Sequence, residues 1–470
     1  MADNPFSVIA FPDAGKDKFS ELVYARKFLK KVKLRTHEKT WYVYDGRGWT
    51  ITKSAHYESL ALDLIPERHR SVKHARAIMD FAAMQNQIAP DESFTGAIKF
   101  DEEGRVLINC RNGVLCVSKD GVKLIDHDEE LLFTGYLNAE WAGGLWDRDD
   151  TPLFSRVLDE VLPEKEDQAL QQWFAGYLLY PSCKHEVFLI SHGKGGSGKS
   201  TISDAVMEVI GGKPLKTVLS LAQICAEGQG AYSLPSLQYA MVNMGTELDT
   251  VDIGDSANFK RLVSGEPVEV RPIYGDPFTM TTHAKLWFNS NSLPRFRHGT
   301  DAELRRARIL EFVHARKEEE KDVTLKERML VERNGIFAWM IEGLRCILNG
   351  MPCPEGSDES RRVKAKFALS NDPVTAFAKE CLIFGPDREM TKDELWEAFG
   401  EFLGGQGFAD KTRGSLFRQF YERFPSVTGY REKTGKVRPV GHWVLGADLL
   451  DRAKREAEEE GHATASDFDP

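Results

Sequence analysis

Residues 190–201, Ile190-Ser191-His192-Gly193-Lys194-Gly195-Gly196-Ser197-Gly198-Lys199-Ser200-Thr201, decide how this chain is read. From Gly193 to Ser200 they satisfy G-x-x-x-x-G-K-[ST], the pattern of a phosphate-cradling P-loop. The flanks supply the context this pattern needs. Glu186–Ser191 (EVFLIS) reads as a short buried strand, and Thr201–Ile210 (TISDAVMEVI) as an amphipathic helix stopped by Gly211-Gly212. Glycines let backbone N–H groups point inward around a triphosphate, and the helix N-terminus adds a favourable partial charge. Lys199 then reaches the β- and γ-phosphates, and the Ser200 hydroxyl ligates magnesium. Gly193, Lys194, Gly195, Gly196, Ser197, Gly198 and Thr201 complete the cradle. A flexible glycine connection is the plain structural alternative, and the full motif in its proper context outweighs it. The expected ligands are ATP and Mg2+.

Composition narrows the partners. A length of 470 residues suggests about three domains, with 41% hydrophobic and 29% charged residues as in an ordinary globular chain. The net charge of -10 excludes a global attraction to nucleic acid, so any such binding must come from local Lys/Arg clusters. The seven cysteines contain no C-x-x-C pair, which predicts neither a disulfide framework nor a zinc site but free thiols in a reducing compartment. No run approaches a membrane span, and the opening MADNPFSVIAFPDAGKDKF lacks an apolar signal region, so a soluble cytoplasmic protein with no membrane partner is expected.

Along the chain, residues 1–36 read as a leader and a basic-faced helix. Residues 37–180 read as an α+β domain opened by the hairpin Thr40–Thr50 (TWYVYDGRGWT). Its aromatic residues and Arg47 are either a stacking surface for nucleic acid or hairpin core, and sheet packing is favoured. Helices over 54–87, short strands over 97–128 and a helix broken near Pro163 follow. The nucleotide-binding core spans 181–348, a polar Pro/Gly/Ser linker 349–370, a third unit 371–450, and a charged tail 451–470. In the third unit, helices over VTAFAKECLIF, from the Thr391/Glu394 capping box, and over 413–424 precede a hairpin, which is the winged-helix order.

Downstream residues refine the core. Leu237–Glu247 (LQYAMVNMGTE) reads as a strand ending in an acid, which makes Glu247 the candidate general base and a metal ligand, with Asp249 a possible helper. Ala284–Asn291 (AKLWFNSN) is a strand ending in Asn291, placed to sense the γ-phosphate. Between them, Val268–Tyr274 and Phe278–Thr282 read as hairpin arms around Gly275-Asp276-Pro277, with Lys260, Arg261 and Arg271 supplying positive charge. Arg305, Arg306 and Arg308 precede a further apolar strand. Taken alone, an Arg-rich turn is a solvated face.

The order P-loop, acid-ended strand, basic hairpin, Asn-ended strand and arginine pair resembles a superfamily 3 helicase. More narrowly, residues 40–345 resemble the C-terminal helicase part of phage, plasmid and poxvirus primase-helicases, including the WYVYDGRGW hairpin, Asn112–Leu115 and the WFAGYLLY helix. The resemblance implies an α/β P-loop ATPase core, AAA+-like, with an N-terminal α+β helicase-associated domain and a C-terminal winged-helix-like domain. It also implies a homo-hexameric ring acting on single-stranded and forked DNA in the cytoplasm of a host cell. By that resemblance Lys199 and Ser200 hold nucleotide and magnesium, Glu247 is the acid, Asn291 the sensor, and Arg306 with Arg305 the arginine finger. Lys260, Arg271 and Tyr274 fall in the DNA-tracking hairpin segment. In the third unit, Arg413 and Arg418 (with Lys411) and the wing residues Arg431, Lys433, Lys436 and Arg438 read equally as a surface for duplex DNA and as a solvated charge face or protein-docking module.

Three positions depart from the family pattern: Ser197 replaces a common Asn, Thr246 a second acid, and Asp276 a basic hairpin tip. No primase half is visible, so priming by another chain or by host proteins is expected. An ATP-switched initiator and a protein-remodelling ring are the alternatives.

Overall fold

The computed structural model describes residues 19–449, except 38, 90–91, 227, 247, 249–251, 254–255, 274, 297–300, 315–323, 407–411 and 432–441. The first core is built from α1 (Glu21–Leu29), a small antiparallel sheet and two more helices. The sheet is β1 (Leu34–His37), β2 (Thr40–Tyr44) and β3 (Trp49–Thr52), and the helices are α2 (Glu58–Leu64) and α3 (Val72–Gln85). Ala25 and Phe28 form a one-turn stripe on α1 that Ala75, Ile78, Met79 and Ala82 of α3 cover. The basic helix thus belongs to this core and not to a leader ending at 36. In the hairpin, Trp41, Tyr42 and Trp49 are buried, and Tyr42 stacks on Phe94 with centroids 3.7 Å apart. These rings are sheet core, as favoured from sequence.

A four-stranded meander follows: β4 (Ile98–Phe100), β5 (Val106–Cys110), β6 (Gly113–Val117) and β7 (Val122–Ile125). Next come α4 (Pro152–Val161) and α5 (Lys165–Tyr177), separated around Pro163 as expected. Glu332, far along the chain, caps α4 by accepting from Leu153 N at 2.9 Å and Phe154 N at 2.8 Å.

The central layer runs β8 (Phe188–Gly193), α6 (Lys199–Ile210), β9 (Lys216–Thr217), α7 (Leu221–Cys225), β10 (Val242–Thr246), β11 (Asp252–Ile253) and α8 (Ala257–Ser264). It continues with β12 (Val268–Val270), β13 (Phe278–Met280), β14 (Lys285–Ser290), β15 (Arg295–Phe296), α9 (Asp301–Arg306), β16 (Ala307–Phe312), α10 (Leu325–Leu330) and α11 (Arg333–Leu348). Five strands make one parallel sheet in the order β16-β8-β14-β10-β9. Its strands are apolar on both sides because both faces are covered. Trp287 and Leu189 face a core that includes Trp173, Phe174 and Phe337, while Phe188, Ile190 and Phe288 face a second core. Helices α5 and α11 cross with Gly176 against Gly343. Helices α4 and α5 therefore pack in the core of the parallel sheet, and the boundary expected at 180 falls inside one packed unit.

Two further expectations change. Residues 358–371 of the expected linker form α12 (Asp358–Asn371), docked on β16. Its polar composition describes its solvent face, while Val363 and Phe367, four residues apart, are buried beside Phe296. The strand expected from Leu237 begins only at Val242, because the preceding residues to Leu237 form a 3-10 helix.

The last unit comprises α13 (Pro373–Cys381), β17 (Leu382–Thr391), α14 (Lys392–Gln406), α15 (Arg413–Arg423), β18 (Thr428–Arg431) and β19 (His442–Leu449). Its antiparallel sheet has the order β17-β19-β18. A strand, not a turn, joins the first two helices. Thr391 and Glu394 make the expected capping box, with Thr391 N donating to Glu394 Oε2 at 2.7 Å and Glu394 N to Thr391 Oγ1 at 3.1 Å.

Candidate nucleotide-binding site

The loop Gly193–Lys199 leaves the sheet at the carboxyl end of β8 and enters α6, where a parallel sheet presents ligands. Two glycines are required by shape. Gly193 has φ +148°, and a Cβ there would meet Phe312 O at 2.5 Å; Gly198 has φ +91°, and its Cβ would meet Val161 Cγ1 at 2.4 Å. Lys194, Gly195 and Gly196 are exposed, Ser197 is buried, Ser200 is exposed and Thr201 half-buried. The loop thus presents backbone and one hydroxyl outward while Ser197 anchors its inner side.

Lys199 is 7% exposed, and its Nζ donates to Gly193 O at 2.6 Å, Lys194 O at 2.9 Å, Ser197 Oγ at 3.3 Å and Asn291 Oδ1 at 2.9 Å. Burial holds its ammonium below the ordinary lysine value, partly offset by the Glu311 carboxylate. The Lys199–Asn291 bond joins two residues singled out independently in the sequence. Sheet order explains it: β14 lies directly beside β8, with Ser290 opposite His192.

Four supporting contacts are not legible in the sequence. His192 Nδ1 pairs with the Glu311 carboxylate directly across the β8–β16 ladder. Asn289 Nδ2 donates to Ser203 Oγ at 2.7 Å, tying β14 to α6. Leu248 N donates to Ser290 Oγ at 3.2 Å, and Ser292 Oγ donates to Leu248 O at 2.6 Å, fixing the chain just beyond β10. The available signal was Glu311, a lone carboxylate inside the apolar strand ARILEF.

The other sequence candidates divide. Glu247 and Tyr274, with Asp249, Lys411, Lys433, Lys436 and Arg438, lie outside the described residues. Arg306 is not free to reach outward: its Nε and Nη2 hold Glu186 Oε2 at 3.0 and 2.6 Å, and Nη2 also reaches Ser264 Oγ at 3.0 Å. Arg305 is exposed. Lys260 sits on α8, not on the β12–β13 hairpin, and pairs at 2.9 Å with Glu303, whose side chain is fully buried. Arg271 is at the hairpin turn, its Nε donating to Gly275 O at 3.1 Å. Arg413 pairs with Asp393 and lies over the Phe417 ring, while Arg418 is exposed on α15.

Among the described residues no His/Cys/Asp/Glu cluster could hold a metal by itself, no disulfide joins any of the seven cysteines, and no helix is long and apolar enough to cross a membrane. The residues present fit a phosphate-bearing ligand: the exposed loop residues Lys194, Gly195 and Gly196, a buried ammonium behind them, and the exposed Ser200 at the start of α6.

A parallel α/β unit with a glycine-rich loop at β8–α6, preceded by an α+β unit, is thus the class that fold and site define. Residues 22–163 match the family model described as "D5 N terminal like", and residues 191–306 match one described as a family of unknown function (DUF5906). The second match runs from the start of the glycine loop to the arginine pair. The chain is similar in fold to the A-form apo structure of the NrS-1 C-terminal region, with TM-score 0.53 and 14% identity over 92% of this chain and 100% of that one. A second A-form apo structure, of residues 305–718, gives TM-score 0.50 and 13% identity over 91% and 100%. At such identity the likeness is one of fold. No curated protein matches the chain. The D5-like match agrees with the primase-helicase resemblance of the sequence, in its coarser form.

Proposed function

We propose that this chain is an ATP-dependent DNA helicase of the superfamily 3, primase-helicase type, assembling as a homo-hexameric ring on single-stranded and forked DNA during replication of a phage, plasmid or other mobile element. The observation that carries the reading is the Lys199–Asn291 contact at the end of β8 and β14, in a sheet ordered β16-β8-β14-β10-β9. It brings a P-loop amine and a strand-end amide to one point, as hydrolysis of a triphosphate requires. The backbone of Lys194–Lys199 would hold the phosphates of ATP, and Ser200 with Glu247 the magnesium, which neutralises developing charge on the phosphates. Glu247, next to the pinned Leu248, orients the attacking water.

The pairing of Arg306 with Glu186 revises one assignment. In this reading Arg305, exposed at the end of α9, is the finger that reaches the neighbouring subunit, and Arg306 fixes the turn that presents it. Arg271 carries the strand contact at the hairpin, and Lys260 ties α8 through Glu303 to α9, the helix that ends in Arg305 and Arg306. The C-terminal unit supports a winged-helix-like reading, with Arg418 exposed on its third helix toward duplex DNA and Arg413, paired with Asp393, able to join it by exchanging that carboxylate for a phosphate.

The deciding measurement is ATP hydrolysis with and without single-stranded DNA, followed by strand displacement on a forked substrate. Hydrolysis indifferent to DNA would sink the helicase reading. One observation favours protein remodelling instead: Ile273, beside Tyr274 at the hairpin turn, is 66% exposed, as in a loop that grips polypeptide. ATPase stimulated by unfolded polypeptide and not by DNA would select it.

A further inference from the structure

A cleft of about 790 Å3 lies at the opposite end of α6 from the phosphate loop, between the N-terminal hairpin, the meander and the Gly211–Lys216 connection. The twelve residues of α6 separate it from Lys199 by roughly 18 Å, so it is not part of the nucleotide site. Its cations are Arg111 from the β5–β6 turn and Lys213 and Lys216 from the connection after α6. Among the described residues none of the three has a carboxylate partner. The two acids in the wall are engaged: Asp45 Oδ1 accepts from Arg47 N and Gly48 N at 2.9 Å each, and Glu208 Oε1 from Asn138 Nδ2 at 2.9 Å. Arg47 adds a fourth cation beside the wall, its guanidinium over the Tyr136 ring at 5.4 Å from the centroid.

Arg111 supplies the second observation. Its backbone is fixed, with N donating to Ala139 O at 2.9 Å and the carbonyl meeting His127 Nε2 at 3.4 Å. Its Nε is nonetheless shut from solvent and has no acceptor. Leaving such a donor unmet costs about 1–3 kcal/mol, so the guanidinium is held in this wall at a cost that an anion in the cleft would offset through its charge. In a chain of net charge -10, an unpaired basic wall aimed into a cleft is a local exception that calls for an anionic occupant.

We propose that this cleft binds single-stranded nucleic acid, its phosphates accepting from Arg111, Lys213 and Lys216 while a base stacks against the Arg47–Tyr136 platform. The choice of ligand rests on the nucleic-acid reading above, but the site is separate from the β12–β13 hairpin. A strand fits better than a compact anion because the cations come from two separate segments of the wall, Arg111 from one and Lys213 with Lys216 from the other. Beside them the wall offers the Tyr136 ring and the exposed Ile51, the mixture that holds a backbone and a base together.

The test uses the full chain and fluorescein-labelled oligothymidine, followed by anisotropy across a salt series. Arg111→Ala/Lys213→Ala/Lys216→Ala is expected to weaken binding at least about tenfold and to lower the log–log salt slope by about 2, three phosphate contacts at roughly 0.7 each. Should the triple variant fail to melt as the wild type does, Lys213→Ala/Lys216→Ala is read alone and should lower the slope by about 1.4. An unchanged affinity and slope overturns the proposal. So does binding of a fluorescent ADP by Lys199→Ala that is lost on adding Arg111→Ala, which assigns the cleft to a free nucleotide. Cleft-dependent oligothymidine binding in a chain that displaces no strand supports this site and removes only the helicase reading.

Discussion

Arg306→Ala separates a structural arginine from a catalytic one. Arg306 places two nitrogens on one Glu186 oxygen, at 3.0 and 2.6 Å, and a third bond on Ser264. The arginine side chain is 14% exposed and the glutamate 43%. Removing one partner of a fully buried pair costs about 3–5 kcal/mol, mostly from the charge left behind. Glu186 is nearly half in water and can resolvate, which brings the expected loss to about 1–2 kcal/mol. For a unit of some 200 residues that lowers the melting midpoint by roughly 3–6 °C. Arg305→Ala, on an exposed side chain, should melt within about a degree of wild type. If Arg305 is the finger, its loss should cut ATP turnover by about a thousandfold, with activity partly restored by mixing with Lys199→Ala subunits. Differential scanning calorimetry and a coupled ATPase assay read both quantities. An Arg306→Ala chain that melts like wild type yet has lost turnover, with rescue in mixed rings, would refute this and return the finger to Arg306.

Asn291→Ala removes the 2.9 Å contact to Lys199 and should lower kcat for ATP about a hundredfold with little change in nucleotide affinity, checked by steady-state kinetics and fluorescent-nucleotide binding. Gly176→Ala would put a Cβ 2.2 Å from the backbone of Gly343 and Leu344, so α5 and α11 must part; a net loss of about 2 kcal/mol is expected in urea unfolding, and no loss would deny the close crossing. Burial holds fully buried Lys285 down to about 8 from its ordinary 10.5. The folded chain therefore sheds this proton first, and its stability should rise from about pH 8 to 10.5, by an order of 3 kcal/mol, as only the unfolded chain stays charged. Lys285→Met should abolish that rise, which paired urea titrations at the two ends of the range would show.

The parallel core was legible because its strands are apolar runs ending in residues with chemistry. Gly193 ends β8, Asn291 stands just past β14 and Lys199 opens α6, so local pattern and site coincide. Sheet order was not legible from pattern alone. Nothing local says that β14 lies beside β8 or that β16 closes its other edge, and the His192–Glu311 pair depends on that edge. The arginine pair was legible as charge and not as role, because Glu186 lies 120 residues upstream of Arg306. Glu186 precedes β8 with φ +51°, a conformation no sequence window predicts for it. The span 349–370 is illegible for the opposite reason: its helix has only a narrow apolar stripe, Val363 and Phe367, set among polar residues.

That misread span also shows how the last unit is held. Ser360 on α12 accepts from Glu311 N at 3.0 Å and donates to Asp167 Oδ1 at 2.9 Å, joining β16 to α5. At the other end of α12, Asn371 Oδ1 accepts from Phe296 N at 2.7 Å, while its Nδ2 reaches Pro294 O at 3.3 Å. Pro294 and Phe296 follow Asn291 by three and five residues. The next residue, Asp372, caps α13 by accepting from Thr375 N at 3.2 Å and pairs with Arg423 of α15 at 2.7 Å. A continuous run of buried or half-buried polar bonds therefore leads from the segment after the Lys199 contact into the first and third helices of the C-terminal unit. Polar groups so enclosed tolerate little stretching, since each broken bond strands a donor or acceptor away from water. A loose tether would let the C-terminal unit drift independently of the sheet; Asn371 and Asp372 instead make the position of α13 and α15 depend on the backbone that carries Asn291.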